Sequence, residues 1–180
     1  MRITRFVLLV AVTLTASLFA SSARAQQVDL LQHASHNNPP QSFVDKVRTA
    51  TERFFFHPGK DYVQFLGCVS GPQEGAMGIH FVNSSLVGDG KLDVNTPEAL
   101  IYEVRNGFAR LVGVEYIVTS AAWHAHDANP PVLEGQSFQF VASPNRFALE
   151  DFYELHVWAW RDNPNGAFVD WNPRVSCEGK

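Results

Sequence analysis

The pattern of apolar and polar positions is clearest in the middle of the chain. The residues from Pro97 to Val118 are rich in Ile, Val, Leu, Tyr and Phe, and Asn106-Gly107 interrupts them. Both residues of that pair tolerate a positive φ, so they are typical of the two-residue turn of a β-hairpin. The sequence therefore predicts a hairpin with strands over residues 98–105 and 108–118.

The length of this turn predicts which residues pair across the hairpin. A two-residue loop places Glu103 opposite Arg110, and the same register places Glu98 opposite Glu115. Paired residues share a face of a sheet, so Tyr102 is expected on the same face as Glu98 and Glu115. Like charges directly opposite each other destabilise a sheet, so a cation, a shared proton or water is needed between them.

The rest of the chain combines one helical pattern with several strand patterns. Apolar residues recur at helical spacing over residues 42–56, which predicts one helix with Ser42 as its N-cap. Short runs rich in Val, Phe, Tyr and Trp predict further strands over residues 62–69, 76–82, 136–142 and 152–160. The sequence therefore predicts a mainly β domain, an antiparallel β-barrel or sandwich (cupin-like), behind one N-terminal helix.

The first 40 residues are predicted to lie outside this domain. Residues 1–25 contain a basic start, an apolar run and the cleavage site Ala23-Arg24-Ala25, which is the pattern of a secretory signal peptide. A membrane anchor is the alternative, but the apolar run is short for one. Residues 26–40 are polar and typical of a flexible lead-in, which leaves residues 41–180 as a single β-rich domain. We therefore expect a secreted or periplasmic protein.

Charge and motifs narrow the classes of partner. Three of the fourteen Lys and Arg lie in residues 1–25, which contain no acid, so the remaining chain has a net charge of 11 − 18 = −7. The sequence has no basic patch, so neither nucleic acid nor, after signal cleavage, a membrane is an expected partner. It also has no nucleophile, P-loop or dinucleotide-binding motif. A small-molecule ligand or substrate is expected, and whether the protein is an enzyme stays open.

The two cysteines are predicted to form a disulfide bond. Cys68 and Cys177 are the only cysteines in the sequence, and disulfides are typical of exported proteins. A bond between them would close a long loop and hold the C-terminal residues against the domain. Two reduced thiols are the alternative.

Four polar residues in strand-like segments predict a metal site. His80 and His156 lie mid-strand between apolar neighbours, and they are expected to point inward like Glu98 and Glu115. Two imidazoles and two carboxylates from separate strands suit a divalent ion such as Zn, Mn, Fe or Ni. Such an ion would also account for two glutamates that face each other. The residues expected to line the surrounding cavity are Tyr102 and Trp158.

The same four residues are also compatible with a fold that binds no metal. A mid-strand histidine is commonly a satisfied core residue, and Glu98 at a strand end would simply be solvated. Glu115 would then pair with an arginine such as Arg146 or Arg174. A rival metal site is His124-Ala125-His126, which resembles the H-x-H part of the cupin metal motif. No glutamate follows at the required spacing, so the segment is more typical of an exposed loop, and any metal binding there would be a contribution from the surface or a lid.

Several blocks of the sequence are similar to those of one family. The blocks read GAMGIHFVN, PEALIYE, LVGVEYIV and YELHVWAWRDNPNGAFVDWNPRVSC, and the similarity extends over residues 68–177. They resemble small exported bacterial proteins that share M-G-x-H, P-E-x-L-x-Y-E, V-E-Y, E-L-H-x-W and N-P-x-V-x-C patterns. The resemblance implies that His80, Glu98, Glu115 and His156 are family positions. It implies no activity, because none is assigned to that family.

These observations lead to three hypotheses for an exported, metal-binding β protein. The first is a small metalloenzyme that acts on a small molecule. The second is a non-catalytic protein that binds a metal ion or a small apolar ligand. The third is a structural protein in which the buried polar cluster only fixes the strand register. An open coordination position would distinguish an enzyme from a closed storage or structural site.

Overall fold

The computed structural model describes residues 39–71 and 73–179, so the predicted signal peptide and almost all of the predicted lead-in lie outside the described residues. No helix in the described ranges is long and apolar enough to cross a membrane. Helix α1 covers Pro39–Thr51 and continues as a 3₁₀ turn over Glu52–Phe54. The helix begins before Ser42 because proline is tolerated in the first turn, where its missing N–H has no intrahelical partner to lose.

The described residues form nine strands, of which seven belong to one antiparallel sheet. These seven are β1 (Val63–Gln64), β2 (Val69–Gly71), β3 (Gly75–Val82), β4 (Ala99–Arg105), β5 (Phe108–Thr119), β8 (Gln139–Val141) and β9 (Phe152–Val157). Their order is β1-β3-β4-β5-β9-β8, and β2 also pairs with β3. The remaining elements are the paired strands β6 (Val132–Leu133) and β7 (Gln136–Ser137) and the short helices α2 (Ser84–Val87) and α3 (Ser120–His124).

The mainly β, antiparallel architecture is confirmed, but the predicted barrel is not. In the described part of the chain, β1 and β8 stand at the two ends of the sheet order and do not pair with each other. The sheet is therefore open. Of the strand predicted over residues 62–69, Val63 and Gln64 form β1 and Val69 begins β2, and the strand predicted over residues 136–142 is divided between β7 and β8. The strands β3, β4, β5 and β9 lie where the sequence predicts them, although β9 ends at Val157, three residues earlier than predicted.

The predicted hairpin is present, and its turn sets the pairing of the nearby residues. Asn106 and Gly107 have φ values of 54° and 78°, as a two-residue turn of this kind requires. Next to the turn, Glu103 lies opposite Arg110 and Tyr102 lies opposite Leu111. The predicted register therefore holds for the half of the hairpin that is closest to the turn.

A β-bulge at Val112 changes the register in the other half of the hairpin. Beyond the bulge, Glu115 lies opposite Ala99, so the predicted pairing of Glu98 with Glu115 is wrong. Side chains alternate between the two faces of a strand, and one extra residue reverses that alternation. Glu115 consequently lies on the face opposite to the one that carries Tyr102.

The two faces of the sheet are covered by different parts of the chain. The first face carries Tyr102, Val114 and Tyr116, and α1 packs Phe43 and Val47 against it in the largest apolar cluster. The second face carries Ile101 and Glu115 on the same strands, together with His80 and His156 on the neighbouring ones. Two smaller apolar clusters occupy this second face. The polar residues therefore lie on the face away from α1.

The C-terminal segment is held against the rest of the domain by a disulfide bond and by hydrogen bonds. The predicted disulfide between Cys68 and Cys177 is present, with 5.6 Å between the Cα atoms and a sequence separation of 109 residues. Constraining a loop of that length in the unfolded chain stabilises the native state by about 4–5 kcal/mol. The buried carboxylate of Glu103 also accepts hydrogen bonds from Arg161 Nη2 at 2.7 Å and from the backbone N–H of Ser176 at 3.1 Å.

Candidate metal centre

Three strands bring His80, Glu115 and His156 together on the second face. Glu115 on β5 lies opposite His156 on β9, and His80 comes from β3 on the other side of β4. Glu115 Oε2 lies 3.6 Å from His80 Nε2, and Glu115 Oε1 lies 3.7 Å from His156 Nδ1. Each residue offers one donor atom such that the three atoms lie within 4.8 Å of one another. All three side chains are buried.

Glu154 and Asp170 extend this cluster beyond the predicted residues. Glu154 precedes His156 by two positions in β9, so its side chain lies on the same face. Asp170 belongs to the segment that follows β9, and its Oδ1 lies 3.6 Å from His156 Nδ1. Donor atoms of Glu154, His156 and Asp170 also lie within 4.8 Å of one another. His156 is therefore the residue that the two groups share.

The structure places Glu98 apart from both groups. Its side chain is buried, and its Oε2 accepts a hydrogen bond from the backbone N–H of Ile117 at 3.0 Å. Burial raises the pKa of the Glu98 carboxyl to about 8, against the weaker opposing effect of that hydrogen bond. Its charge also contributes to the pKa of Tyr62, which burial raises to about 12. Glu98 is thus a buried carboxyl beside tyrosines and not a neighbour of the histidines.

The two residues predicted to line the cavity lie on opposite faces. Tyr102 packs in the first-face cluster, and its hydroxyl donates a hydrogen bond to the backbone carbonyl of Phe54. Trp158 lies beside the candidate group of His80, Glu115 and His156, with its ring stacked on His156 at a centroid distance of 6.2 Å and an interplanar angle of 26°. The Trp158 Nε1–H donates to the carbonyl of Val169 at 2.6 Å, which fixes the ring against the C-terminal segment.

The His124-Ala125-His126 segment forms the end of α3 and the two residues after it. His124 Nδ1 lies 2.7 Å from the backbone carbonyl of Asp127, and its Nε2 lies 3.0 Å from the Tyr153 hydroxyl. The ring of His126 lies 5.7 Å from that of Trp123. Within residues 39–71 and 73–179, the groups able to hold a metal ion include neither histidine.

Burial keeps both histidines of the cluster neutral. The pKa of His80 is lowered to about 3 by burial and, to a smaller extent, by His156. Burial alone lowers the pKa of His156 to about 4. Both rings are therefore uncharged near pH 7, which is the form of imidazole that binds metal ions.

The acidic residues of the cluster are shifted in the opposite direction. Burial raises the pKa of Glu115 well above its usual range, and the charge of Glu154 and a hydrogen bond with it raise it further. Burial also raises the pKa of Glu154 and of Asp170, and the charge of Arg146 offsets only part of this. Arg174, the other arginine that could have paired with Glu115, pairs with Asp162 instead. The carboxyls thus lie in a site that penalises their negative charge.

Several buried polar atoms of the cluster have no hydrogen-bond partner among the described residues. They include both ring nitrogens of His156 and Oε2 of Glu154. A buried polar atom without a partner costs about 1–3 kcal/mol, and native structures contain few of them. The cluster is therefore not arranged to satisfy itself, as a purely structural polar network would be.

A cavity of about 580 Å³ opens onto this cluster. His80, Glu115 and Glu154 are named here the floor of the cavity, and its lining contains six further polar residues, Asp61, Gln64, Asn83, Ser84, Ser85 and Thr119. Its apolar walls come from β1 and the residues after it, the end of β3, α2, β5 and the segment that leads into β9. The apolar wall residues are Val63, Phe65, Leu66, Val82, Val87, Ile117, Phe147, Leu149 and Phe152. Both the volume and the mixture of apolar walls with a few polar groups are typical of small-molecule sites.

No protein-family model matches the chain, and no curated protein and no solved structure matches it either. The resemblance to small exported bacterial proteins therefore stays a prediction. The geometry of the second face is the basis on which a function can be proposed.

Proposed function

We propose that the protein binds one divalent metal ion on the second face through His80, Glu115 and His156. One observation carries this proposal: donor atoms of three buried side chains, from three different strands, lie within 4.8 Å of one another. Neutral imidazole and carboxylate together suit Zn, Mn, Fe or Ni. Donor atoms at this spacing need only small side-chain movements to reach one ion at about 2.0–2.2 Å.

An ion would also compensate for the unfavourable features of the cluster. A nearby cation lowers the pKa of a carboxyl, so it would stabilise the charged form of Glu115 that burial disfavours. It would also provide a partner for a ring nitrogen of His156 that has none among the described residues. Asp170 Oδ1 lies as close to His156 Nδ1 as Glu115 Oε1 does, so its carboxyl would lie near the ion and add to the negative charge around it.

The cavity supports a binding or catalytic centre over a closed structural one. Structural zinc sites are closed by four protein ligands, whereas three ligands leave a position for water or a substrate. His80 and Glu115 both line the cavity, so an open position on their ion would face it. We therefore favour a small metalloenzyme of cupin-like chemistry that acts on a small molecule. The apolar walls support the alternative, a non-catalytic protein that binds a metal ion or a small apolar ligand.

Export remains part of the proposal. The signal-peptide pattern of residues 1–25 supports it, and an oxidising compartment would preserve the Cys68–Cys177 bond. In such a compartment the expected metal is the one that is available there, because affinity alone does not select among first-row ions.

Elemental analysis of purified protein that has never met a chelator tests the proposal. We expect about one equivalent of a first-row divalent metal in the wild type, and its loss in His80→Ala, because that variant removes one of three ligands. His124→Ala is the matched control, since His124 is exposed and belongs to neither group. Less than about a tenth of an equivalent in the wild type, with no uptake of added Zn²⁺, Mn²⁺, Fe²⁺ or Ni²⁺, would exclude the site.

A further inference from the structure

We infer that the cavity on the second face binds a small molecule with an apolar body and a hydrogen-bond donor at one end, and that Glu154 accepts from that donor. The expected ligands are amines and alcohols with an aromatic or aliphatic body, and the metal-free cavity is expected to reject molecules whose head is a carboxylate or phosphate. Only the position of the head beside an ion rests on the proposed function. The cavity and Glu154 are present without it.

The walls determine the apolar body of the ligand. Phe65 and Leu66 follow β1, Phe147 and Leu149 belong to the segment that leads into β9, and Phe152 is the first residue of β9. Phe65 keeps 46% of its surface exposed at the cavity. A ligand that fills about 580 Å³ would remove such surface from water.

The floor determines the head group of the ligand. Glu154 lines the cavity, is only 3% exposed, and its Oε2 has no hydrogen-bond partner in the described part of the chain. A carboxyl oxygen accepts hydrogen bonds, so the group that satisfies it has to be a donor. A ligand that lacks a donor would leave this oxygen buried and unpartnered, which is a penalty that discriminates strongly between close analogues.

The charges around the cavity exclude an anionic head. The ionisable residues that line it are Asp61, His80, Glu115 and Glu154, and the described lining residues include neither lysine nor arginine. In the protein without an ion, an anion would therefore be desolvated next to carboxyl groups without a counter-charge. Glu154 is not one of the three proposed metal ligands, so the donor of the ligand would lie between Glu154 and the open position of the ion.

Three probes that share a phenyl ring and differ in the head test this assignment. They are 2-phenylethylamine, 2-phenylethanol and 3-phenylpropanoate, titrated by calorimetry into the full mature chain, both metal-loaded and chelator-treated. In the chelator-treated chain, the amine and the alcohol are expected to bind, and the carboxylate to bind at least about tenfold more weakly. Equal affinities for the three probes in that form, tighter binding of the carboxylate to it, or no binding of any probe at millimolar concentration would overturn the assignment.

Two variants identify the contacts. Glu154→Met removes both carboxyl oxygens at similar volume and should weaken the amine and the alcohol at least about tenfold. The control Glu52→Gln changes an exposed acid outside the cavity and should leave all affinities unchanged. If Glu154→Met does not fold, Leu149→Ala replaces it, and it should weaken amine and alcohol together because it removes part of a wall that both contact. Unchanged affinities in the folded variant would overturn the assignment.

The failure of this assignment and that of the proposed function give different results. Protein that binds the amine but takes up no metal ion contradicts the metal site and keeps the ligand class. Protein that holds one equivalent of metal and binds none of the probes contradicts the ligand class and keeps the metal site.

Discussion

Tyr102 and Tyr116 are buried on the first face of the sheet and His80 and His156 on the second, and the two pairs differ in their hydrogen bonding. Tyr102 and Tyr116 donate their hydroxyls to the backbone carbonyls of Phe54 and Val94, the second at 2.8 Å. His156 has no hydrogen-bond partner for either ring nitrogen among the described residues. On the first face, hydrogen bonds within the protein therefore compensate for the burial of these polar atoms. On the second face, the His156 nitrogens have no such compensation among the described residues.

This difference separates a structural face from a candidate functional one. Buried polar atoms normally find partners, so the stability of the fold accounts fully for the tyrosines. Atoms that are buried without partners lower stability, and they are expected where a ligand or an ion supplies the missing interaction. The coverings differ in the same way, since α1 closes the first face whereas a cavity opens onto the second.

The largest expected effect comes from releasing the segment that covers the second face. In the double variant Cys68→Ala and Cys177→Ala, the free energy of unfolding should fall by about 4 kcal/mol, because a 109-residue separation is no longer constrained in the unfolded chain. Urea unfolding of oxidised wild type and variant measures this difference. A loss below about 1 kcal/mol would show that the disulfide does little to stabilise the fold.

Substitution of a proposed metal-binding residue on the second face should change ion affinity, whereas substitution of a tyrosine on the first face should change only stability. His156→Gln should raise the Kd for a divalent ion at least about 100-fold, equivalent to about 2.7 kcal/mol, because it removes one of three donors. Tyr116→Phe should leave that Kd unchanged and lower the free energy of unfolding by about 1–2 kcal/mol, since the carbonyl of Val94 loses its donor. Competition with a chelating dye and urea unfolding measure the two quantities. Equal ion affinities in both variants would contradict the proposal that only the second face binds the ion.

Glu98 should make stability depend on pH without involving the metal site. Below about pH 4.5 its carboxyl is protonated in both states and the native state keeps its full stability. From there to about pH 8 only the unfolded chain loses the proton, so the free energy of unfolding falls as pH rises, by about 1.4 kcal/mol per unit. Relative to Glu98→Gln, which keeps an acceptor for Ile117, the wild type should lose about 2–3 kcal/mol between about pH 5 and pH 7.

Urea unfolding of both proteins at a series of pH values measures this difference. Both proteins contain the other buried acids, so the contribution of those acids is removed by the subtraction. A difference between wild type and Glu98→Gln that does not change with pH would mean that the carboxyl is ionised in the native state. Ion affinity of Glu98→Gln should match that of the wild type, because Glu98 belongs to neither donor group.

The smallest expected effect is that of Tyr102→Phe. It removes one hydroxyl that donates to Phe54, so the free energy of unfolding should fall by about 1 kcal/mol. Probe and ion affinities should stay within about twofold, because Tyr102 lies on the first face. A larger change in either affinity would indicate that Tyr102 influences the cavity, as the sequence predicts.

Features that depend on neighbouring residues can be predicted from the sequence. The two-residue turn at Asn106-Gly107 follows from residues that tolerate positive φ, and the adjacent pairing follows from its length. The alternation of β3 and β9 is local as well, so His80 and His156 are both expected to point inward. The pairing of Cys68 with Cys177 needs only their number and the predicted export.

The bulge at Val112 cannot be predicted, because its cause lies far away in the sequence. The backbone carbonyl of Val112 accepts hydrogen bonds from the N–H groups of Trp160 and Arg161, each at 3.0 Å. Its side chain packs in the second-face cluster with Trp158. These contacts involve residues almost fifty positions later, so the local pattern gives an uninterrupted register and pairs Glu115 with the wrong residue.

Glu154 and Asp170, the two additional acids of the cluster, differ in how far the sequence could have predicted their position. Glu154 could have been found, because it shares a face with His156 at a spacing of two residues in a predicted strand. Asp170 lies in a segment without helical or strand periodicity, and only the fold brings its Oδ1 within 3.6 Å of His156 Nδ1. The candidate site can therefore be predicted to the extent that its residues lie in regular strands.

The stacking of Trp158 on His156 gives the second face an intrinsic fluorescence reporter. Trp158 is 3% exposed, whereas the three other tryptophans are partly exposed. A buried indole emits at shorter wavelengths than a hydrated one, and a paramagnetic ion such as Ni²⁺ or Mn²⁺ held by the adjacent imidazole would quench that emission. The diamagnetic ion Zn²⁺ would occupy the same position without this quenching. Loss of only the short-wavelength emission would therefore locate a bound ion at His156 without an added label.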